Sequence, residues 1–77
     1  MDQRTQVTKK SAFTKQVNGK HYKNMAVQPT EYIVKNKIPW LEANAIKYIS
    51  RHAMKGGKVD LEKALHYIEM AIEEYYG

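Results

Sequence analysis

The sequence contains no cysteine, two prolines and one tryptophan, and it has no long apolar run. Without cysteine the chain can form neither a disulfide nor a thiolate zinc site. No segment approaches the roughly 20 consecutive apolar residues of a membrane-spanning helix, and the first residues do not form an apolar signal segment. We therefore expect a soluble protein that stays in the cytoplasm and has no membrane partner.

The chain is short, and this limits the core that it can build. It has 77 residues, which correspond to one small domain. Compact domains of about 60 residues bury only about 60% of their unfolded surface, so their stability in isolation is marginal. Because no disulfide is available to compensate, self-association is a natural source of additional burial. The sequence therefore predicts a homo-oligomer.

Positive charge dominates most of the chain but not its last helix. Residues 1–58 carry twelve Lys and Arg against three acidic residues, a net charge of +9, whereas residues 59–77 carry a net charge of −4. A basic region attracts phosphate-bearing partners, and it also attracts an acidic helix of a second copy. Nucleic acid is the weaker alternative, because the helix that would enter a groove is the acidic one.

The first third of the chain is polar and basic. Residues 1–20 have too few and too scattered apolar residues to set a period, so we expect a flexible basic arm. We assign residues 21–77 to a single helical domain. Pro29 predicts the start of a short first helix, with Thr30 as its N-cap.

Apolar residues at helical spacing predict two longer helices, over 41–53 and 61–76. Asp60 is the expected N-cap of the second, and Gly56-Gly57 is the expected turn between them. So short a connection requires the two helices to be antiparallel, which predicts a small all-α domain built on a helical hairpin. The expected core stripe of the last helix comprises Leu61, Ala64, Leu65, Ile68, Ala71, Ile72 and Tyr75.

A polar and basic face on the first long helix is the main candidate for ligand binding. Asn44, Lys47 and Arg51 follow one another at spacings of three and four, with Tyr48 at the border of the apolar side. Arg51 can bind phosphate through two nitrogens, and Lys47 adds a point charge. The alternative is a solvated helix face with no ligand. The predicted ligand-binding set is His21, Tyr22, Asn44, Lys47, Tyr48, Arg51, Lys55 and Lys58.

Other chemistries find less support. Gly57-Lys58 is not part of a P-loop, because Val59 replaces the required Ser or Thr, the first glycine is missing and no strand precedes. An acidic face of the last helix could in principle hold a divalent metal, but such faces are common on solvated helices, so no metal site is predicted. That face comprises Glu62, His66, Glu69 and Glu73. No nucleophile–base arrangement can be assembled, so catalytic residues stay unassigned.

Four motifs occur in order along the chain: "HYK" at 21–23, "ANAIKYISR" at 43–51, "KGG" at 55–57 and "DLEKALHYI" at 60–68. Together they resemble the SaV-like family of small bacteriophage proteins, often labelled a domain of unknown function. A related domain occurs in a nucleotide kinase of T-odd coliphages. The resemblance implies a phage or prophage protein acting in the host cytoplasm. Ala43 stands where the family has glycine.

Three functions follow as hypotheses. The first is a phage accessory protein that binds, and thereby sequesters, a phosphate-bearing nucleotide, either a deoxynucleoside monophosphate or a host signalling nucleotide. The second is a nucleotide kinase, which alone would require Mg²⁺ as cofactor; this chain lacks recognisable magnesium ligands and a triphosphate cradle. The third is an interaction protein that docks on a host factor.

Overall fold

The computed structural model describes residues 25–77 and the isolated Ala12, and the main described segment contains three helices. They are α1 (Pro29–Lys35), α2 (Trp40–Arg51) and α3 (Lys58–Tyr76). Residues 25–77 contain no strand, which confirms the all-α class. None of the described helices is long and apolar enough to cross a membrane. Apart from Ala12, the expected arm lies outside the described residues.

Helix α1 begins at Pro29, one residue before Thr30, the predicted N-cap. Gln28 is the N-cap residue, Pro29 is the first helical residue, and Thr30 lies inside the helix, so the prediction of Thr30 as N-cap is wrong. Proline suits the first position because its ring presets the helical φ and its missing N–H would have no partner there. The chain leaves α1 through Lys37 at φ 54°.

Helices α2 and α3 form the predicted antiparallel hairpin. At the closed end, beside the turn, Arg51 contacts Asp60. At the open end the Tyr75 hydroxyl donates a hydrogen bond to Glu42 Oε1 at 3.0 Å, across 33 residues of sequence. That hydrogen bond, burial of the phenol and the nearby carboxylates raise the pKa of Tyr75 above its ordinary value of 10.0. Contacts at both ends therefore fix the direction and register of the pair.

The glycine pair makes the turn, but α3 starts earlier than its apolar pattern indicated. Gly57 is the N-cap residue, with φ 57° and ψ −135°, a backbone conformation that residues with a Cβ rarely adopt. Asp60 lies in the first turn of α3, and no side chain caps the helix, so the prediction of Asp60 as N-cap is wrong. Its carboxylate is instead directed at groups on the other side of the turn.

The apolar side chains that are buried in α2 and α3 are small. In these two helices they are Ala43, Ala45 and Ala64, of which Ala64 is 2% exposed. Alanines let two helices approach closely, but they cover little of the neighbouring faces. The large residues of the expected α3 core stripe therefore stay exposed in this structure, Leu65 at 56%, and the prediction that they form the core of the hairpin is wrong.

Candidate functional site

An ion pair between a buried carboxylate and a half-buried guanidinium joins the two long helices beside the turn. Arg51 Nε donates to Asp60 Oδ2 at 3.1 Å, and Arg51 Nη2 donates to Oδ1 at 3.3 Å. The Gly56 backbone N–H donates to Oδ2 at 2.9 Å. The Asp60 side chain is 2% exposed and that of Arg51 is 25% exposed. Three donors thus compensate for the burial of one carboxylate.

The environment of Asp60 favours its charged form. Burial opposes ionisation, but the hydrogen bonds from Arg51 and Gly56 and the charges of Arg51 and Lys63 outweigh it and lower the pKa of Asp60 below its ordinary value of 3.8. The turn is built around this carboxylate, because a Cβ on Gly56 would collide with it. Gly56 and Gly57 therefore serve different purposes, one providing space and the other a positive φ.

A row of aromatic side chains begins beside Arg51. The Arg51 guanidinium carbon lies 4.8 Å from the centre of the Tyr48 ring. Tyr48 stacks on Tyr67, with ring centres 5.9 Å apart and planes 12° apart. Tyr67 in turn meets Trp40 edge to face at 5.7 Å. We call Trp40, Tyr67 and Tyr48 the aromatic row; it crosses from α2 to α3 and back.

A second cation and an exposed ring complete this face. Lys63 Nζ lies 5.3 Å from the centre of the Tyr48 ring, within the range of a cation–π contact. Trp40, at the other end of the row, is 68% exposed. The face therefore offers an accessible aromatic surface at one end and positive charge at the other. Aromatic rings can stack on a base, and cations can bind a phosphate.

The residues predicted to bind a ligand are distributed unevenly over this structure. Tyr48 and Arg51 contact each other at the positive end of the aromatic row. The Asn44 side-chain amide donates a hydrogen bond to the Trp40 carbonyl of its own helix at 2.8 Å. Lys47 and Lys55 are exposed. The remaining three predicted residues are not members of the aromatic row. Lys58 is exposed with its Nζ 3.9 Å from Glu62, and His21 and Tyr22 lie outside the described residues.

Sequence reasoning did not place three residues of this face in the site. Trp40 precedes Asn44 and Tyr48 at successive steps of four, which is the spacing of one helical face. Lys63 and Tyr67 show the same step on α3. The helical spacing was therefore visible in the sequence, but only the hairpin register brings the two faces together.

The described residues offer no metal site. Within residues 25–77, no three His, Asp or Glu side chains are grouped closely enough to hold a metal ion.

Fold and site together define a small all-α domain, in which a helical hairpin is fixed by an Arg–Asp pair and carries an aromatic row with two cations. The profile of the family described as "Protein of unknown function (DUF3310)" matches residues 14–69, which is most of the chain. The chain belongs to this family. Neither the search of curated proteins nor the search of solved structures found a match.

Proposed function

We propose that this chain binds a phosphate-bearing nucleotide on the face that carries the aromatic row. The observation behind the proposal is the grouping of Trp40, Tyr67 and Tyr48 with two cations, Arg51 and Lys63. The base stacks on the exposed ring of Trp40, and the phosphate lies toward the positive end of the row. Base–aromatic stacking contributes roughly 1–3 kcal/mol per base where it has been measured by alanine substitution.

The ion pair with Asp60 changes the part that Arg51 takes in this proposal. Two of its nitrogens already donate to a buried carboxylate, so the charge that reaches a ligand is partly neutralised. Lys63 and the exposed Lys47 are then the side chains better suited to a direct phosphate contact. Arg51 supports the site by holding the Tyr48 ring and the turn in place. Replacing Arg51 would therefore disturb folding and binding together.

The resemblance to the SaV-like family of bacteriophage proteins supports a phage or prophage setting. There the ligand is a deoxynucleoside monophosphate or a host signalling nucleotide that the protein sequesters in the host cytoplasm. The related domain in a phage nucleotide kinase makes phosphoryl transfer the alternative. A coupled assay for ADP release with deoxynucleoside monophosphate acceptors and Mg²⁺ distinguishes binding from catalysis.

The test is calorimetric titration of the full chain with mono-, di- and cyclic nucleotides, with Trp40 fluorescence as a second readout. Lys63→Gln should weaken binding by roughly ten- to a hundredfold, since a hydrogen bond to a charged group contributes roughly 1.5–3 kcal/mol. Trp40→Ala should weaken it as well, and Trp40→Phe should restore part of the affinity. The matched control is Lys35→Gln, which removes an exposed lysine from α1.

Two results would contradict the proposal. If the wild-type chain binds no nucleotide of the panel, nucleotide binding is wrong. If it binds but Lys63→Gln and Trp40→Ala are both as tight as the wild type, the ligand lies elsewhere on the molecule. A folded-state check by circular dichroism accompanies each variant.

A further inference from the structure

Helix α3 carries a second apolar surface that its partner helix does not cover. Five large side chains follow one another at alternating steps of four and three, the spacing of a coiled-coil seam. Their exposed fractions range from 39% to 56%. We call them the α3 seam: Leu61, Leu65, Ile68, Ile72 and Tyr75.

The α3 seam opens into a groove between the two long helices. The groove has a volume of about 390 Å³ and a mainly apolar lining, with Glu42 at its edge. Ile68, Ile72 and Tyr75 contribute to its α3 wall, and Ile46 and Ile49 contribute to its α2 wall. Ile49 is itself 47% exposed. The apolar surface is therefore two helices wide and open to a further helix.

From this surface we propose that a second copy of the chain completes a four-helix bundle, with α3 of each copy lying in the groove of the other. The two copies are related by a two-fold axis near the middle of the α3 seam, and the two α3 helices are antiparallel. The proposal does not rest on nucleotide binding, because the α3 seam contains no residue of the aromatic row; of that row, Tyr67 also lines the groove.

The charge distribution of the hairpin selects this occupant and this direction. Near the turn, exposed Lys55, Lys58 and Lys63 outnumber the one exposed carboxylate, Glu62. At the open end lie Glu73 and Glu74, with Glu42 beside them. An antiparallel second copy places the basic turn of one hairpin against the acidic open end of the other. A parallel copy would place like charges together. The heptad spacing of the seam also matches itself, as a self-complementary two-fold interface requires.

Mass measurement by light scattering tests the proposal on the full chain. The wild-type protein should have twice the 9.0 kDa mass of one chain at micromolar concentration. Leu65→Glu places a charge in the α3 seam and should reduce the mass to that of one chain. Val59→Glu is the matched control, because Val59 is equally exposed, at 54% against 56%, but lies on another face of α3. It should leave the dimer intact.

Cross-linking tests the direction of the pair and does not depend on a disruptive charge. The sequence has no cysteine, so each introduced thiol is unique. Residues 61 and 72 are separated by about 16 Å along a helix. With a linker that spans one helical turn, Leu61→Cys and Ile72→Cys should link to each other when the two variants are mixed. Neither should link efficiently to itself.

Several results would overturn the proposal. A wild-type monomer would show that the second copy is not the occupant of the α3 seam, which would then bind another part of the same chain or a different protein. A dimer that survives Leu65→Glu, or that is lost equally in Val59→Glu, would place the interface elsewhere. Efficient self-linking of both cysteine variants would show a parallel pair. A mass greater than two chains would exclude the closed four-helix bundle.

Discussion

Replacing Gly56 with alanine adds one methyl group at a position where the turn has no space for it. The backbone itself accepts alanine, because among the described glycines only Gly57 has a positive φ. The added Cβ would collide with the Asp60 carboxylate. That carboxylate cannot move aside easily, because three hydrogen bonds from Arg51 and Gly56 hold it in a buried position.

The expected change in stability combines two opposing effects. Overpacking of a well-filled site typically costs about 1–3 kcal/mol. A glycine-to-alanine change at a compatible backbone position stabilises by about 0.4–1 kcal/mol, because it reduces the freedom of the unfolded chain. We therefore expect Gly56→Ala to lower the free energy of unfolding by about 1–2 kcal/mol. Urea unfolding followed by circular dichroism, at one fixed protein concentration, measures this difference.

A double-mutant cycle shows whether the collision is the cause. In an Asp60→Ala background the carboxylate is gone, so Gly56→Ala should become neutral or slightly stabilising. Gly57→Ala is the control: nothing lies within 4 Å of its added Cβ, and its cost comes from φ 57° alone, so that cost should be the same in both backgrounds. Equal costs of Gly56→Ala with and without Asp60 would refute the assignment.

Two further predictions concern packing and acid stability. Ala64→Leu should destabilise the protein by about 1–3 kcal/mol through overpacking between α2 and α3. The control Ala53→Leu, at an exposed position, should change stability by less than about 0.5 kcal/mol. Equal effects of the two variants in urea unfolding would contradict the core assignment. Because the folded-state pKa of Asp60 lies below 3.8, its charge contributes fully to stability above that pH, and the contribution is lost as pH falls through the folded-state pKa. Thermal unfolding of wild type and Asp60→Asn should therefore differ most above pH 3.8 and converge at lower pH, and a constant difference would contradict this.

The sequence by itself determined the helices and their connection. Each of the signals acts over a short stretch of chain: Pro29, the apolar periodicity of α2 and α3, and the glycine pair. Local physics is therefore sufficient to predict an all-α hairpin. The basic face of α2 was also recognisable, because residues three and four apart on a helix are neighbours. Local patterns predicted Asp60 less well, since a carboxylate before an apolar run resembles a helix cap.

Only the tertiary structure decided which side chains meet across the hairpin. Asp60 accepts hydrogen bonds from Arg51, nine residues away, because the hairpin register brings α2 and α3 together at the turn. The same register stacks Tyr48 on Tyr67, a pairing that no local spacing specifies. It also set the core: close packing at Ala64 leaves Leu65 exposed, although both belong to one apolar stripe in the sequence. Periodicity identifies an apolar stripe that can be buried. The orientation and distance of the neighbouring helix determine which residues of that stripe are buried.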